Sequence, residues 1–348
     1  MYNYGEFFST RKAMRDKTIM TEAEARSMLA ERIYGEIPRR PIHLNYKSKS
    51  SDGSFAAGKA ELTEYEIIME FAERTVVMPL TAVIPKGRSN IPVIITLTDQ
   101  SGVPNKFLPA EEIIDRGYAI IYIDAKDVAD NNADFKAKIC GQIARSRKRK
   151  AAAGKIAVWA FAVMRAVDLV CDLETIDNVD KSVICVSGQG IYGRAGMLAA
   201  AFDGRIGYII ANGIASYPPP YSDKIPKSGI TVRDFPYLYC PAFTDGPVGD
   251  EYTLLLSALS PRKVLVGYAE DGGYCDFEAE LDRLCRISED YYRSQGLSGL
   301  GKIKEIPTAE GIIQGGEISC HLRQGLDYFS REDWNIYLDF IDSKIRKI

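Results

Sequence analysis

ICVSGQGIYGRAGMLAAAFD, residues Ile184 to Asp203, is the stretch on which the reading of this chain turns. Ile184 to Val186 form a short apolar run, as in a strand buried on both faces. Glycines follow at 188, 190 and 193, and small residues such as Ala195, Gly196 and Ala199 then recur with helical spacing. A strand that turns abruptly into a helix needs residues without bulk at the corner, and the three glycines provide them. The corner residue itself is read as Gly190.

Outward from this corner the chain keeps one rhythm. Residues 91–97 (IPVIITL), 118–124 (YAIIYID), 182–187 (SVICVS), 205–211 (RIGYIIA), 262–268 (RKVLVGY) and 317–322 (EISCHL) read as strands. Helices are predicted between and after them, over 108–116, 154–171, 193–202, 276–294 and 331–346, the last capped by Ser330 with Asp333 three residues on. Towards the N-terminus, TEAEARSMLAERIY (21–34) has helical periodicity, with Thr21 as N-cap and Glu24 completing a capping box. Residues 56–71 and 74–84 alternate as an antiparallel pair ending at Pro85. The sum is an α/β class: a mostly parallel sheet with an antiparallel N-terminal edge and helices on both faces. Neither a repeat nor a linker interrupts it, so one domain over 1–348 is expected. Its N-terminal helix and lead-in occupy 1–50, its sheet and flanking helices 51–348, and long loops run over 125–150 and 212–250.

Composition removes several classes of function. With 44 Lys and Arg against 47 Asp and Glu, the net charge is −3, the wrong sign for a protein whose main partner is nucleic acid. The basic run RSRKRK (145–150) reads as a solvated loop before a helix. No apolar run reaches the roughly 18 residues of a membrane span, so no membrane partner is expected. The seven cysteines are scattered without C-x-x-C spacing, and there are only two histidines, His43 and His321. Reduced thiols, no metal and no cofactor are therefore expected. The first residues lack the apolar core of a secretory leader, which sets a cytoplasmic expectation.

Glycines after a strand also suit a phosphate-binding turn, but GQGIYG lacks the early strand–helix–strand context and ribose-binding acid of a dinucleotide site. The other reading is the nucleophile elbow of an α/β-hydrolase. Several stretches resemble the glucuronoyl esterase family of carbohydrate esterases and its α/β-hydrolase relatives. ERIYGEIP (31–38) is similar to that family's opening helix and turn. PAEEIIDRGYAIIYIDAKDVADNNAD (109–134) is similar to the segment ending in its oxyanion-side loop. GKIAVWAFAVMRAVDLV (154–170) resembles the helix before the nucleophile strand, and EDWNIYLDFID (332–342) the closing helix. The resemblance implies an α/β-hydrolase-like fold.

It also implies where a catalytic serine, base and acid would stand, and here the chain departs from the pattern. Where the family has Gly-x-Ser-Arg-x-Gly-Lys, this sequence reads Gly188-Gln189-Gly190-Ile191-Tyr192-Gly193-Arg194. The nucleophile position is Gly190, and the oxyanion-holding arginine is replaced by Ile191. Near the last strand, the base position falls on Asp327. An acid just after the 205–211 strand would fall near Gly213, and the alternative acid, after the next strand, is Asp271.

Serine hydrolysis needs a hydroxyl, a base and oxyanion donors together. Lacking the serine and the histidine, the chain is expected to be inactive as a serine esterase and to keep a cleft for a carbohydrate or small anionic ligand. Gln189, Tyr192 and Arg194 are the candidate ligand-binding residues. Arg194 takes the place of a lysine that, in the family, contacts the sugar. Its other reading is an ion pair that holds the elbow. Asp327 with Asp271 is a conceivable acid–base pair, or two solvated loop acids. Ser187 is read as strand packing and His321 as structural. Cys275 lies near the acid loop without a histidine to serve it. Two alternatives stay open: an active hydrolase using a different residue set, and an interaction scaffold acting through its long loops. The stretch Tyr217-Pro218-Pro219-Pro220-Tyr221 would line the cleft or simply stiffen a loop.

Overall fold

A computed structural model describes residues 20–214, 234–245, 251–271, 277–301 and 311–345. Ten strands form one sheet: β1 (His43–Asp52), β2 (Ala60–Phe71), β3 (Arg74–Pro85), β4 (Ile91–Thr98), β5 (Ala119–Asp124), β6 (Val179–Gln189), β7 (Tyr208–Asn212), β8 (Lys263–Ala269), β9 (Gly311–Ile313) and β10 (Ile318–Arg323). Their order is β1-β2-β3-β5-β4-β6-β7-β8-β10-β9. β5, β4, β6, β7, β8 and β10 run parallel, while β1, β2 and β3 make an antiparallel edge and β9 turns back on β10. This is the mixed, mostly parallel α/β sheet expected from the sequence.

Each central strand serves two cores. Val93, Ile95 and Leu97 of β4 face one apolar cluster and Ile94 the other, the period-two alternation of a strand covered on both sides. The larger cluster holds the long helix Lys155–Asp172 and the helix Ile191–Phe202; the smaller holds Ala110–Asp115 and the closing helix Arg331–Ile345. The predicted caps are present. The Thr21 hydroxyl accepts from Glu24 N at 3.2 Å while the Glu24 carboxylate accepts from Thr21 N at 2.7 Å. Ser330 Oγ accepts from Asp333 N at 3.1 Å, and the Asp333 carboxylate accepts from Ser330 N at 2.7 Å.

Two strands and three short helices were not expected from the sequence, one of the helices being Glu251–Ser257. β1 (HLNYKSKSSD) has no apolar alternation, because it is an edge strand that is mostly exposed, and its lysines face water rather than a core. β9 is three residues long, below what a periodicity can reveal. The stretch 125–150, expected as a loop, contains helices Ala125–Val128 and Lys138–Ile143. Their buried residues, Ala125, Val128, Ile139 and Cys140, are too few to stand out in a polar sequence.

Candidate functional site

The carboxyl ends of β4, β6, β7, β8 and β10 converge on one edge of the sheet, where parallel sheets bind their ligands. β6 ends at Gln189, and the helix Ile191–Phe202 begins on the next residue but one, so a single residue makes the corner. That residue is Gly190, with φ 56° and ψ −123°. Its N–H donates to Asn212 O at 2.8 Å, and its carbonyl accepts from Arg194 N at 3.1 Å, which pins the corner on both sides. The other two glycines serve the approach of strand and helix. A Cβ on Gly188 would lie 2.7 Å from Gly193 N, and one on Gly193 would lie 2.8 Å from Gly188 O. A Cβ on Gly190, by contrast, would meet nothing within 4 Å among the described residues. The sharp turn is built, and its apex carries no side chain.

Asp327 stands beside this apex. Gln189 Nε2 donates to its Oδ1 at 3.2 Å. The carboxylate also lies on Gly213, where an added Cβ would fall 2.1 Å from Asp327 Oδ1. Gly213, with φ 60°, therefore leaves the space that Asp327 fills. The two positions are complementary in volume: a side chain on one excludes the present place of the other.

The loop that carries Asp327 is held from beneath. Arg323 donates through Nη1 to Gln324 O at 2.7 Å and through Nη2 to Leu326 O at 2.8 Å and Tyr328 O at 3.1 Å. Its Nε reaches Asp333 Oδ1 at 3.2 Å, and His321 Nε2 lies 2.8 Å from the same oxygen. Asn212 Nδ2 donates to Tyr328 O at 2.8 Å, and the Tyr337 hydroxyl donates to Asn212 Oδ1. Burial opposes the charge on Asp333, but the bonds from His321 and Ser330 outweigh it and hold the carboxyl below its ordinary range. His321 is only 1% exposed, the structural role expected for it.

Arg194 takes the second of its two expected roles. It is 2% exposed. Nη1 lies 3.1 Å from Glu251 Oε2 and 3.3 Å from the Tyr239 hydroxyl, and Nη2 donates to Ile214 O at 2.9 Å. Tyr34 donates its hydroxyl to the other oxygen of Glu251. Burial pushes the Glu251 carboxyl up to about 8, with the charge of Arg283 acting in the opposite sense. Tyr192 is likewise turned into the protein, 7% exposed and edge-on to Trp159 with ring centroids 5.0 Å apart. Of the three candidate ligand-binding residues, Gln189 is the one whose side chain stands at the elbow. Arg194 and Tyr192 support it from inside.

Asp271 lies in the turn after β8, exposed, and its N–H donates to Gly325 O at 2.9 Å. That bond ties its turn to the Asp327 loop, but Asp271 faces water while Asp327 is half-buried. Ser187 is 1% exposed within β6, in keeping with strand packing. Burial raises the thiols of Cys140, Cys171, Cys185, Cys240, Cys285 and Cys320, so these six are kept protonated and poorly nucleophilic. Cys275 and the Tyr217–Tyr221 stretch lie outside the described residues. Among the described residues no cluster of three metal-ligating side chains is found, and no helix is long and apolar enough to cross a membrane. The roles of Gly213, Asn212 and Arg323 escaped the sequence reading. Gly213 alone left a signal there, as a glycine at the end of a strand on the expected binding edge.

The structure superposes on a glucuronoyl esterase from Solibacter usitatus with a TM-score of 0.79, covering 92% of this chain and 91% of that one at 20% identity. The fold is that of the glucuronoyl esterases. A second structure with the glucuronoyl esterase fold, from Teredinibacter turnerae, gives a TM-score of 0.74 at 19% identity over 94% of this chain and 86% of that chain. A third, a serine-to-alanine mutant of a Sporotrichum thermophile glucuronoyl esterase in complex with methyl 4-O-methyl-β-D-glucopyranuronate, gives 0.61 at 15% identity over 92% and 81%. The family model described as glucuronyl esterase, fungi, matches residues 67–216, which include the whole elbow. A carbohydrate esterase from an unknown prokaryotic organism is 27% identical over 247 residues, 67% of this chain. The match spans about half of that relative, 55% of its length. The matching family model and the superposed structures are thus glucuronoyl esterases by name, and the curated relative is a carbohydrate esterase.

Proposed function

We propose that this protein is a non-catalytic member of the glucuronoyl esterase group, retaining the elbow cleft to bind a carbohydrate or small anionic ligand without serine-esterase turnover. One observation carries this reading. The apex of an intact elbow is Gly190, which carries no side chain, and the residue beside it is Asp327 packed into the room left by Gly213. Attack on an ester by the serine route needs a hydroxyl at the apex and a base able to take its proton and return it. Glycine has no hydroxyl. The elbow glycines, the pinned corner and the tethered Asp327 loop support a cleft kept in shape for binding. The neighbour crystallised with a glucuronate methyl ester supports a carbohydrate as the class of ligand.

The test compares the native protein with a Gly190→Ser, Ile191→Arg, Asp327→His variant on an activated acetyl ester and a glucuronate methyl ester. Silence from the native chain and turnover by the variant is the expected result. Hydrolysis by the native protein, abolished by Asp327→Ala or Asp271→Ala, would overturn the proposal in favour of an enzyme with another residue set.

A further inference from the structure

The elbow helix Ile191–Phe202 ends on the opposite edge of the sheet, where Arg262 stands one residue before β8. A cleft of about 540 Å³ opens there. The N-terminal helical segment gives one wall, with Arg26, Ala30 and Glu31. The end of the elbow helix gives the other, with Ala201 and Phe202, and Arg262 lies beside it.

The cations of this cleft have little to balance them. Arg262 donates from Nε to Ile206 O at 3.0 Å, and from Nη1 and Nη2 to the carbonyls of Leu259 and Asp203 at 3.4 and 3.5 Å. Carbonyls satisfy N–H groups but bring no net charge, and a guanidinium has five such donors. The Asp203 carboxylate is taken by Arg205 at 2.6 Å. Burial holds the Arg262 guanidinium below its ordinary range, and the like charge of Arg26 adds to the effect. Arg26 itself makes no side-chain hydrogen bond or ion pair among the described residues. The cleft's two carboxylates are on exposed residues and engaged: Glu36 accepts from Arg149, and Glu31 accepts from the Ser27 hydroxyl at 2.6 Å. Three guanidiniums thus stand against two carboxylates. The exposed charges are screened by salt and the partly buried Arg262 much less, so the cleft favours an anion.

Two guanidiniums ask for acceptor oxygens on more than one side. One planar fork fills a carboxylate, whereas a phosphate monoester brings nearly two charges and three acceptor oxygens, enough for both. Ala30, Ala201 and Phe202 offer apolar surface to an organic group attached to it.

We propose that this cleft, at the far end of the elbow helix, binds the phosphate monoester of a small organic molecule through Arg26 and Arg262.

Calorimetric titration of the full chain with phenyl phosphate, inorganic phosphate and acetate tests this, at constant ionic strength and about pH 7.5, where a phosphate monoester is mostly dianionic. The expected order is phenyl phosphate tightest, inorganic phosphate next and acetate weakest. Arg26→Gln and Arg262→Gln should each weaken phenyl phosphate about tenfold or more, the loss expected for one charge-assisted hydrogen bond. Arg262→Gln also gives up bonds to three carbonyls, so Arg26→Gln, which has no such bond to lose, is the decisive variant. Native affinity in Arg26→Gln would overturn the proposal, as would acetate matching phenyl phosphate or no saturable binding of either phosphate. Equal affinity for the two phosphates would overturn the organic monoester as the ligand.

Discussion

Gly190 and Gly213 both stand at positive φ, at 56° and 60°, yet substitution at the two should have different consequences. Around Gly190 a methyl group meets nothing within 4 Å among the described residues, so Gly190→Ala carries the backbone cost of that conformation, about 1–3 kcal/mol. At Gly213 the same methyl falls on the Asp327 carboxylate, so Gly213→Ala adds a displacement to the strain. Equilibrium urea unfolding of both single variants should show Gly213→Ala as the more destabilised. Combining it with Asp327→Gly should recover part of the loss, with a coupling energy of at least about 0.5 kcal/mol. Additive losses would mean that Asp327 moves aside freely and that the two positions are not matched in volume.

The element that presents Asp327 is a loop, 324–328, held by a strand on one side and the closing helix on the other. Arg323 makes three bonds to the loop carbonyls and one to Asp333, a planar fork satisfied in several directions. Arg323→Ala should speed amide hydrogen exchange throughout 324–328 and lower stability by about 1–3 kcal/mol, and Arg323→Lys should restore little of the protection because an ammonium cannot make the same fork. Unchanged exchange in Arg323→Ala would show that Asn212 and Tyr337 hold the loop without it. The same brace gives the fold an acid-sensitive contact. Because the folded protein holds Asp333 below its ordinary pKa, the native state binds its proton less readily than the unfolded chain. Its contribution is therefore present above the unfolded value of about 3.9 and lost as pH falls through the lower folded value. Stability measured from pH 5 downwards should fall less steeply in Asp333→Asn than in the native protein; equal slopes would remove Asp333 from the account. The sequence shows the elements of this brace but not the brace. Ser330 and Asp333 are legible as a cap, since capping is local and spaced by three residues. The meeting of Asp333 with His321 and Arg323 depends on the closing helix packing across β10, which no local pattern encodes.

At the scale of the whole molecule, the strands from β4 onward, apart from β9, were legible in the rhythm of apolar runs, because a strand buried on both faces has no choice of residue. The edge strand β1 was hidden for the converse reason: only Leu44 and Tyr46 pack on the core and the rest faces water, where almost any polar sequence pairs. The site divided in the same way. Gly188 and Gly193 announce the corner, since a Cβ on either would collide with backbone across it, whereas Arg194 is silent about its direction until its partners are folded around it. Those partners, Ile214, Tyr239 and Glu251, lie elsewhere in the chain, and Tyr34 in turn bonds Glu251, so the buried pair ties the elbow helix to the helix Glu251–Ser257 and to the end of the N-terminal helical segment. Both charges are out of water, each with 3% of its side chain exposed. Removing one partner leaves the other buried and uncompensated, which costs about 3–5 kcal/mol, whereas removing both in favour of apolar groups is often nearly neutral. Arg194→Met and Glu251→Leu should each destabilise the protein by about that amount in chemical denaturation, and the double variant should lie well above either single one. The Tyr34 and Tyr239 hydroxyls lose their partners in the double variant, so recovery should stop short of the native value. A double variant as unstable as the sum of its parts would mean that the pair is held by its hydrogen bonds rather than by charge balance, and would leave Arg194 as a residue whose charge the elbow does not need.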